Sequence, residues 1–275
     1  MESFNIHDMS EPLRNRVRPI IAEEVNAFYA EQGMEGFYRY TNKYLDTVNV
    51  RPEFTKEGTS EFKAWRERLN TDGGIMISNH PGILDVPLLM QALNRSDLKI
   101  VVNERFYNDT KEMPVHDLFI PAQKSGLSEV RGALREMDEH IRNGGLLLIF
   151  PTGRVTTDDV KVEFASGLRH LISRLDDKDL VYSFHIDRET QSKAGNTLTL
   201  NSSILSDFIG FPELANNGND EMRHIKIDEA CSDASEWKSI IQGSTKKDAN
   251  KALTDHYLET FGISKSEFER LIVSS

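Results

Sequence analysis

Cysteine is almost absent. Cys231 is the only one in 275 residues, so no disulfide can close within the chain and a cysteine-based zinc site is excluded. Long apolar runs are missing too. The most apolar stretches, Ile75–Met90 and Leu146–Pro151, are interrupted by His80 and Asp85 or are too short, against the roughly 18 residues that a spanning helix needs. The N-terminus carries Glu2, Asp8 and Glu11 and lacks the apolar core of a signal peptide. Basic residues are in deficit, 33 Lys+Arg against 44 Asp+Glu, for a formal net charge of −11. Phosphate backbones need a net basic surface, so nucleic acid is not expected as a partner. There is no internal repeat, no low-complexity segment, and no HExxH, P-loop or GxGxxG motif. These absences describe a cytoplasmic, globular chain, large enough to bury a real core without staples.

What is present divides in two. Residues 1–70 read as a helical N-terminal region. Asp8 or Ser10 can cap a helix through Leu13, Val17, Ile20 and Ile21. Glu23–Val48 carries Val25, Phe28, Phe37, Tyr40 and Tyr44 at helical intervals, with Gly33 and Gly36 as interruptions, and Glu61–Leu69 is a further helix. Residues 71–275 read as an α/β domain. Strands are expected at Ile75–Ser78, Leu98–Val102, Asp117–Pro121, Leu146–Phe150 and Leu180–Ile186. Helices are expected at Val86–Asn94, Leu127–Asn143, Phe164–Leu175 and Asp248–Phe261, with possible edge strands at Thr197–Leu200 and His224–Ile227. The helix Leu127–Asn143 between the third and fourth strands forms a βαβ unit, which implies parallel pairing. The fold class is therefore α/β, a mixed, largely parallel sheet flanked by helices.

Three polar clusters each follow a strand: Asn79–His80 with Asp85, Gln123–Lys124, and Thr152–Gly153–Arg154. Open α/β sheets bind ligands beyond the carboxyl ends of their strands, so the three clusters should converge on one crevice. His80 is placed to act as a general base near neutral pH, and Asp85 to accept from Nδ1–H and leave Nε2 as the proton acceptor. The same residues admit a purely structural reading, with Asp85 as a helix N-cap and His80 filling a turn. Neither supplies a metal site, since no third ligand stands nearby. His116, His140, His170, His185 and His224 have no partner at ligand spacing; His170 alone lies close to a motif. Arg14, Arg16 and Arg18 form a small basic island, either a solvated helix face or a contact for anionic lipid or an acidic carrier protein.

The order of these motifs resembles the glycerolipid acyltransferase (PlsC-like) superfamily. Asn79-His80 followed by Asp85 is similar to its NH-x4-D motif, and Phe150-Pro151-Thr152-Gly153-Arg154 to its FPEGTR motif. Leu118–Pro121 resembles the strand of its FI-x-R motif, and Val162–Ile172 the segment that follows the third motif. The resemblance covers Ile75–Ile186. It implies transfer of a fatty acyl group from a thioester, acyl-CoA or acyl carrier protein, to a hydroxyl of glycerol-3-phosphate, with His80 and Asp85 as the catalytic pair. Asn79, Lys124, Thr152, Gly153 and Arg154 would bind substrate, and no cofactor is implied.

Two departures bear on the acceptor. Thr152 stands where the family has glutamate, and Ala122 where it has the second-motif arginine, leaving Lys124 and Arg154 as the available cations. Both departures resemble the soluble plastid-type glycerol-3-phosphate acyltransferases. Lysophosphatidate or a non-glycerolipid acceptor are the alternatives. A member that has lost catalysis and binds lipid or acyl carrier protein is the alternative of another class. Transient contact with a membrane is compatible with each.

Overall fold

A computed structural model of the chain describes residues 11–47, 49–80, 84–122, 126–153, 164, 166–187 and 222–263. Seven strands form one sheet in the order β1-β7-β6-β2-β5-β3-β4. They are β1 Val50–Phe54, β2 Gly74–Ser78, β3 Leu98–Asn103, β4 Phe119–Ala122, β5 Leu146–Ile149, β6 Leu180–Ile186 and β7 Arg223–Asp233. The five strands from β6 across to β4 are mutually parallel; β7 runs antiparallel to β6, and β1 follows β7.

Helices cover both faces, which is why the central strands are apolar on both sides. Met76, Leu146, Leu148, Tyr182 and Phe184 face a layer built from α1 Glu11–Gln32, α2 Met34–Thr47, α3 Ser60–Thr71, α4 Asp85–Met90 and α5 Glu104–Asp109. Ile75, Ile77, Leu147, Ile149 and Val181 face the other layer, from α6 Leu127–Arg142, α7 Ser166–Ile172, α8 Ala234–Ile241 and α9 Lys246–Thr260. The expected fold class, a mixed and largely parallel sheet with flanking helices, is the one observed.

Several local expectations change. Gly33 separates α1 from α2, but Gly36 lies inside α2 rather than interrupting it. A Cβ there would sit 1.8 Å from the Phe28 carbonyl oxygen, so glycine lets the two helices touch backbone to backbone. Within the region read as helical, residues 50–54 form strand β1 at the sheet edge. Residues 224–227, read as an edge strand, belong to the longer β7, which is interior between β1 and β6. The βαβ unit around α6 does join parallel strands, but β3 lies between β4 and β5. The cap residues Asp8 and Ser10 and the strand expected at 197–200 lie outside the described residues, as do Arg14, Arg16 and Arg18 as side chains.

Three of the other histidines, His116, His140 and His185, are built into the frame. His140 Nε2 lies 3.1 Å from the Leu146 carbonyl, and His116 Nδ1 lies 3.3 Å from Thr110 Oγ1. His185, on β6, packs against Tyr257 and Phe261, and burial pulls its pKa down to about 4 despite the opposing pull of Asp228 and Asp187. The unfolded chain, with histidine near 6.5, then binds more protons than the folded one between these values. This contribution to stability is complete above about pH 6.5 and is lost as pH falls toward 4, on the order of 2–3 kcal/mol. Urea unfolding at several pH values should show His185→Gln flattening this part of the profile. An unchanged slope would show that His185 is not responsible.

Candidate active site

The site starts from β2. All five of its residues are buried, so the strand is fixed in the sheet centre and its carboxyl end points the chain at one place. Ser78 pairs with Phe184 of β6 in the last rung of the ladder. Asn79 then continues the pairing with its side chain: Nδ2 donates to the Ile186 carbonyl at 2.8 Å, and Oδ1 accepts from the Ile186 N–H at 2.8 Å. The amide of Asn79 is thus engaged with the end of β6, and the residue is 9% exposed. Its backbone N–H donates to the Tyr257 hydroxyl at 3.0 Å. The residue after this anchored position is His80.

His80 Nδ1 lies 2.5 Å from Asp85 Oδ2. The Asp85 side chain has no exposed surface, whereas that of His80 keeps 24%. One partner is therefore sealed and the other reaches the surface, as an orienting carboxylate and a working imidazole would require. Asp85 does not act as the helix cap: Leu84 occupies the N-cap of α4, without a side-chain cap bond, and Asp85 is the first helical residue. The imidazole also stacks on Phe150, with ring centroids 4.5 Å apart and planes inclined by 25°. Asp85 thus fixes the imidazole at one nitrogen and Phe150 fixes its plane. An ionised carboxylate can only accept, so such a partner at Nδ1 would leave Nε2 as the nitrogen with a free lone pair in the neutral ring.

β5 lies beside β2, and its end supplies the second wall. The Gly153 N–H donates to the Phe150 carbonyl at 2.9 Å, closing a tight turn over Phe150-Pro151-Thr152-Gly153. Proline at the second position presets the turn, and Gly153 adopts φ +64, the left-handed conformation that glycine takes without strain. Pro151 is buried, Thr152 half-buried and Gly153 exposed, so the turn faces outward beside His80. The helices after β2 and β5 leave to opposite faces of the sheet: α4 packs Leu88 and Leu89 in one layer, and α7 packs Leu168 and Leu171 in the other. Such a divergence opens a crevice at the strand ends.

The structure puts His80 in contact with Asp85 and Phe150, directly after Asn79, and places Thr152 and Gly153 in the turn after the neighbouring β5. Lys124 and Arg154 lie outside the described residues. The strands they follow, β4 and β5, are not neighbours, since β3 lies between them. β4 is the edge strand, and its end stands three strand spacings, about 14 Å, from that of β2. Phe150, Ile186 and Tyr257 were not legible as site residues, because each meets the His80 loop through strand and helix adjacencies that no local pattern announces. Among the described residues, no group of three or more His, Cys, Asp or Glu could hold a metal ion, and no helix is long and apolar enough to cross a membrane.

Comparison with known proteins places this region. Residues 56–187 match the acyltransferase family model, a span that includes β2 to β6 together with His80, Asp85 and the turn after β5. No curated protein matches the chain. Among solved structures, the chain is similar to the 1-acyl-sn-glycerophosphate (LPA) acyltransferase PlsC from Thermotoga maritima. Sequence identity is 12% and the TM-score 0.43, over 93% of this chain and 100% of that one. The matched span contains the motifs met first in the sequence, in the same order and at the strand ends. Over residues 56–187 the chain thus matches the acyltransferase family, in the span whose motifs resemble those of the glycerolipid acyltransferases.

Proposed function

We propose that the protein is an O-acyltransferase that moves a fatty acyl group from a thioester, acyl-CoA or acyl carrier protein, to a hydroxyl of glycerol-3-phosphate. The observation that carries this reading is the His80 Nδ1–Asp85 Oδ2 contact of 2.5 Å at the carboxyl end of β2. The acceptor hydroxyl gives its proton to His80 Nε2 as its oxygen attacks the thioester carbonyl. Asp85 holds the Nδ1–H tautomer and stabilises the imidazolium that forms. Collapse of the tetrahedral intermediate expels the thiolate, which takes the proton back from Nε2 and leaves as thiol. The products are the acyl ester and the free thiol, with no covalent enzyme intermediate.

The acceptor's phosphate needs a cation near this pair. Arg154 directly follows Gly153 in the sequence and is the first candidate, because the turn ending at Gly153 follows β5, the neighbour of β2. Lys124 follows the more distant β4 and is the second. Thr152, in the place of the family's glutamate, offers a hydroxyl instead of a negative charge, which favours an anionic acceptor. The test is acyl transfer by the purified full-length protein from acyl-CoA and from acyl carrier protein, to glycerol-3-phosphate, lysophosphatidate and an uncharged long-chain alcohol. Ester formation should be fastest on glycerol-3-phosphate, and Arg154→Ala should raise its KM at least tenfold. Preference for lysophosphatidate or for the alcohol would reassign the acceptor. Tight binding of the thioester with no product on any acceptor would indicate a binding protein.

A further inference from the structure

The loop that carries His80 is held by a helix far outside the matched acyltransferase span. Tyr257 of α9 is 2% exposed. Its hydroxyl accepts from the Asn79 N–H at 3.0 Å and donates to the Phe184 carbonyl. Phe184 is the β6 residue that pairs with Ser78, so the hydroxyl sits where β2 and β6 part. The Asn79 side chain then bridges to Ile186 one step further on. On the same helix, Thr254 Oγ1 accepts from the Phe164 N–H at 3.0 Å, and the Phe164 ring lies 5.3 Å from that of Tyr257. α9 therefore touches the chain at two points: directly before His80, and again at Phe164, two residues before α7.

A phenylalanine would fill the apolar surroundings of the Tyr257 ring, formed with Phe164, Phe261 and His185, equally well. What the hydroxyl adds is two bonds to backbone groups, one of them at the residue next to His80. We propose that Tyr257 is a positioning residue for acyl transfer: its hydroxyl fixes the backbone at Asn79 and so sets where His80 meets Asp85 and Phe150. Misplacing a reacting group by about 1 Å can cost 10²-fold in rate, so a small relaxation at Asn79 is enough to matter. The inference rests on His80 being the general base.

The experiment compares wild type, Tyr257→Phe, Leu253→Ala and His80→Ala, all full length, with acyl-CoA and glycerol-3-phosphate. Leu253 is fully buried on α9 and touches none of these loop bonds, so its truncation loosens the helix without removing the tie. Tyr257→Phe should lower kcat ten- to a hundredfold, leave both KM values within twofold, and speed amide hydrogen exchange at Asn79. Leu253→Ala should lower the unfolding midpoint while keeping kcat within twofold at temperatures where it is folded. A Tyr257→Phe protein with kcat within twofold of wild type would overturn the inference. So would an equal loss of kcat in Leu253→Ala, which would assign the effect to helix docking in general. An active His80→Ala protein would instead sink the general-base reading, whatever Tyr257→Phe does to the Asn79 amide.

Discussion

Replacing His80 by alanine is expected to lower kcat by about 10²–10⁴-fold, the range that a positioned general base contributes. The side chain reaches the surface, with 24% of it exposed, so the fold should survive its removal. The near-ultraviolet and far-ultraviolet circular dichroism of the variant should match wild type, and substrate KM values should move little. The affected step is proton removal from the acceptor as its oxygen attacks. Truncation also leaves the buried Asp85 carboxylate without its 2.5 Å partner, so some loss of stability is expected alongside the loss of rate. Near-normal turnover in a folded His80→Ala protein would remove the base assignment.

Asp85→Asn should also lower kcat, by up to about 10⁴-fold, at nearly unchanged side-chain volume. Asparagine can turn either end of its amide toward Nδ1. With the oxygen inward the tautomer is kept, but no negative charge balances the imidazolium. With the nitrogen inward Nδ1 must accept, which moves the proton to Nε2 and blocks the base. Both arrangements slow the same step, so kcat falls while KM stays. The burial of Asp85, with no side-chain exposure, adds to the effect, since little water reaches the carboxylate to screen it. Steady-state kinetics on both substrates, with thermal unfolding to establish folding, makes the measurement. A change confined to KM would assign Asp85 to substrate binding instead.

The readable parts of the chain were the local ones. His80 and Asp85 stand five positions apart in the sequence, so spacing alone limits how they can meet. The central strands announce themselves as short apolar runs, because helices cover both faces. The lost parts depended on distant adjacencies or on residues that break a pattern. β1 contains Arg51, Pro52 and Glu53 and buries only Val50 and Phe54, which reads as a loop. Pro52 is tolerated there because β1 is the sheet edge. β7 was cut short because Glu229 interrupts its apolar alternation. That carboxylate is 3% exposed and accepts from the Lys56 N–H at 2.8 Å, and burial raises its pKa. Strand order was hidden for the same reason. A helix between two strands implies that they run parallel, but not that they are neighbours, so the insertion of β3 between β4 and β5 had no sequence signature. Tyr257 meets Asn79 across 178 positions, a separation at which no periodicity carries information.

The central claim is that this protein forms an acyl ester by using His80 as a base. It is tested most directly by following one labelled acyl chain from acyl-CoA to glycerol-3-phosphate in wild type and His80→Ala, measuring released thiol and ester product together. The account predicts equal amounts of thiol and ester from wild type, and rates of both lowered together by about 10²–10⁴-fold in His80→Ala. Thiol release without ester, or ester formed equally well by both proteins, would contradict it.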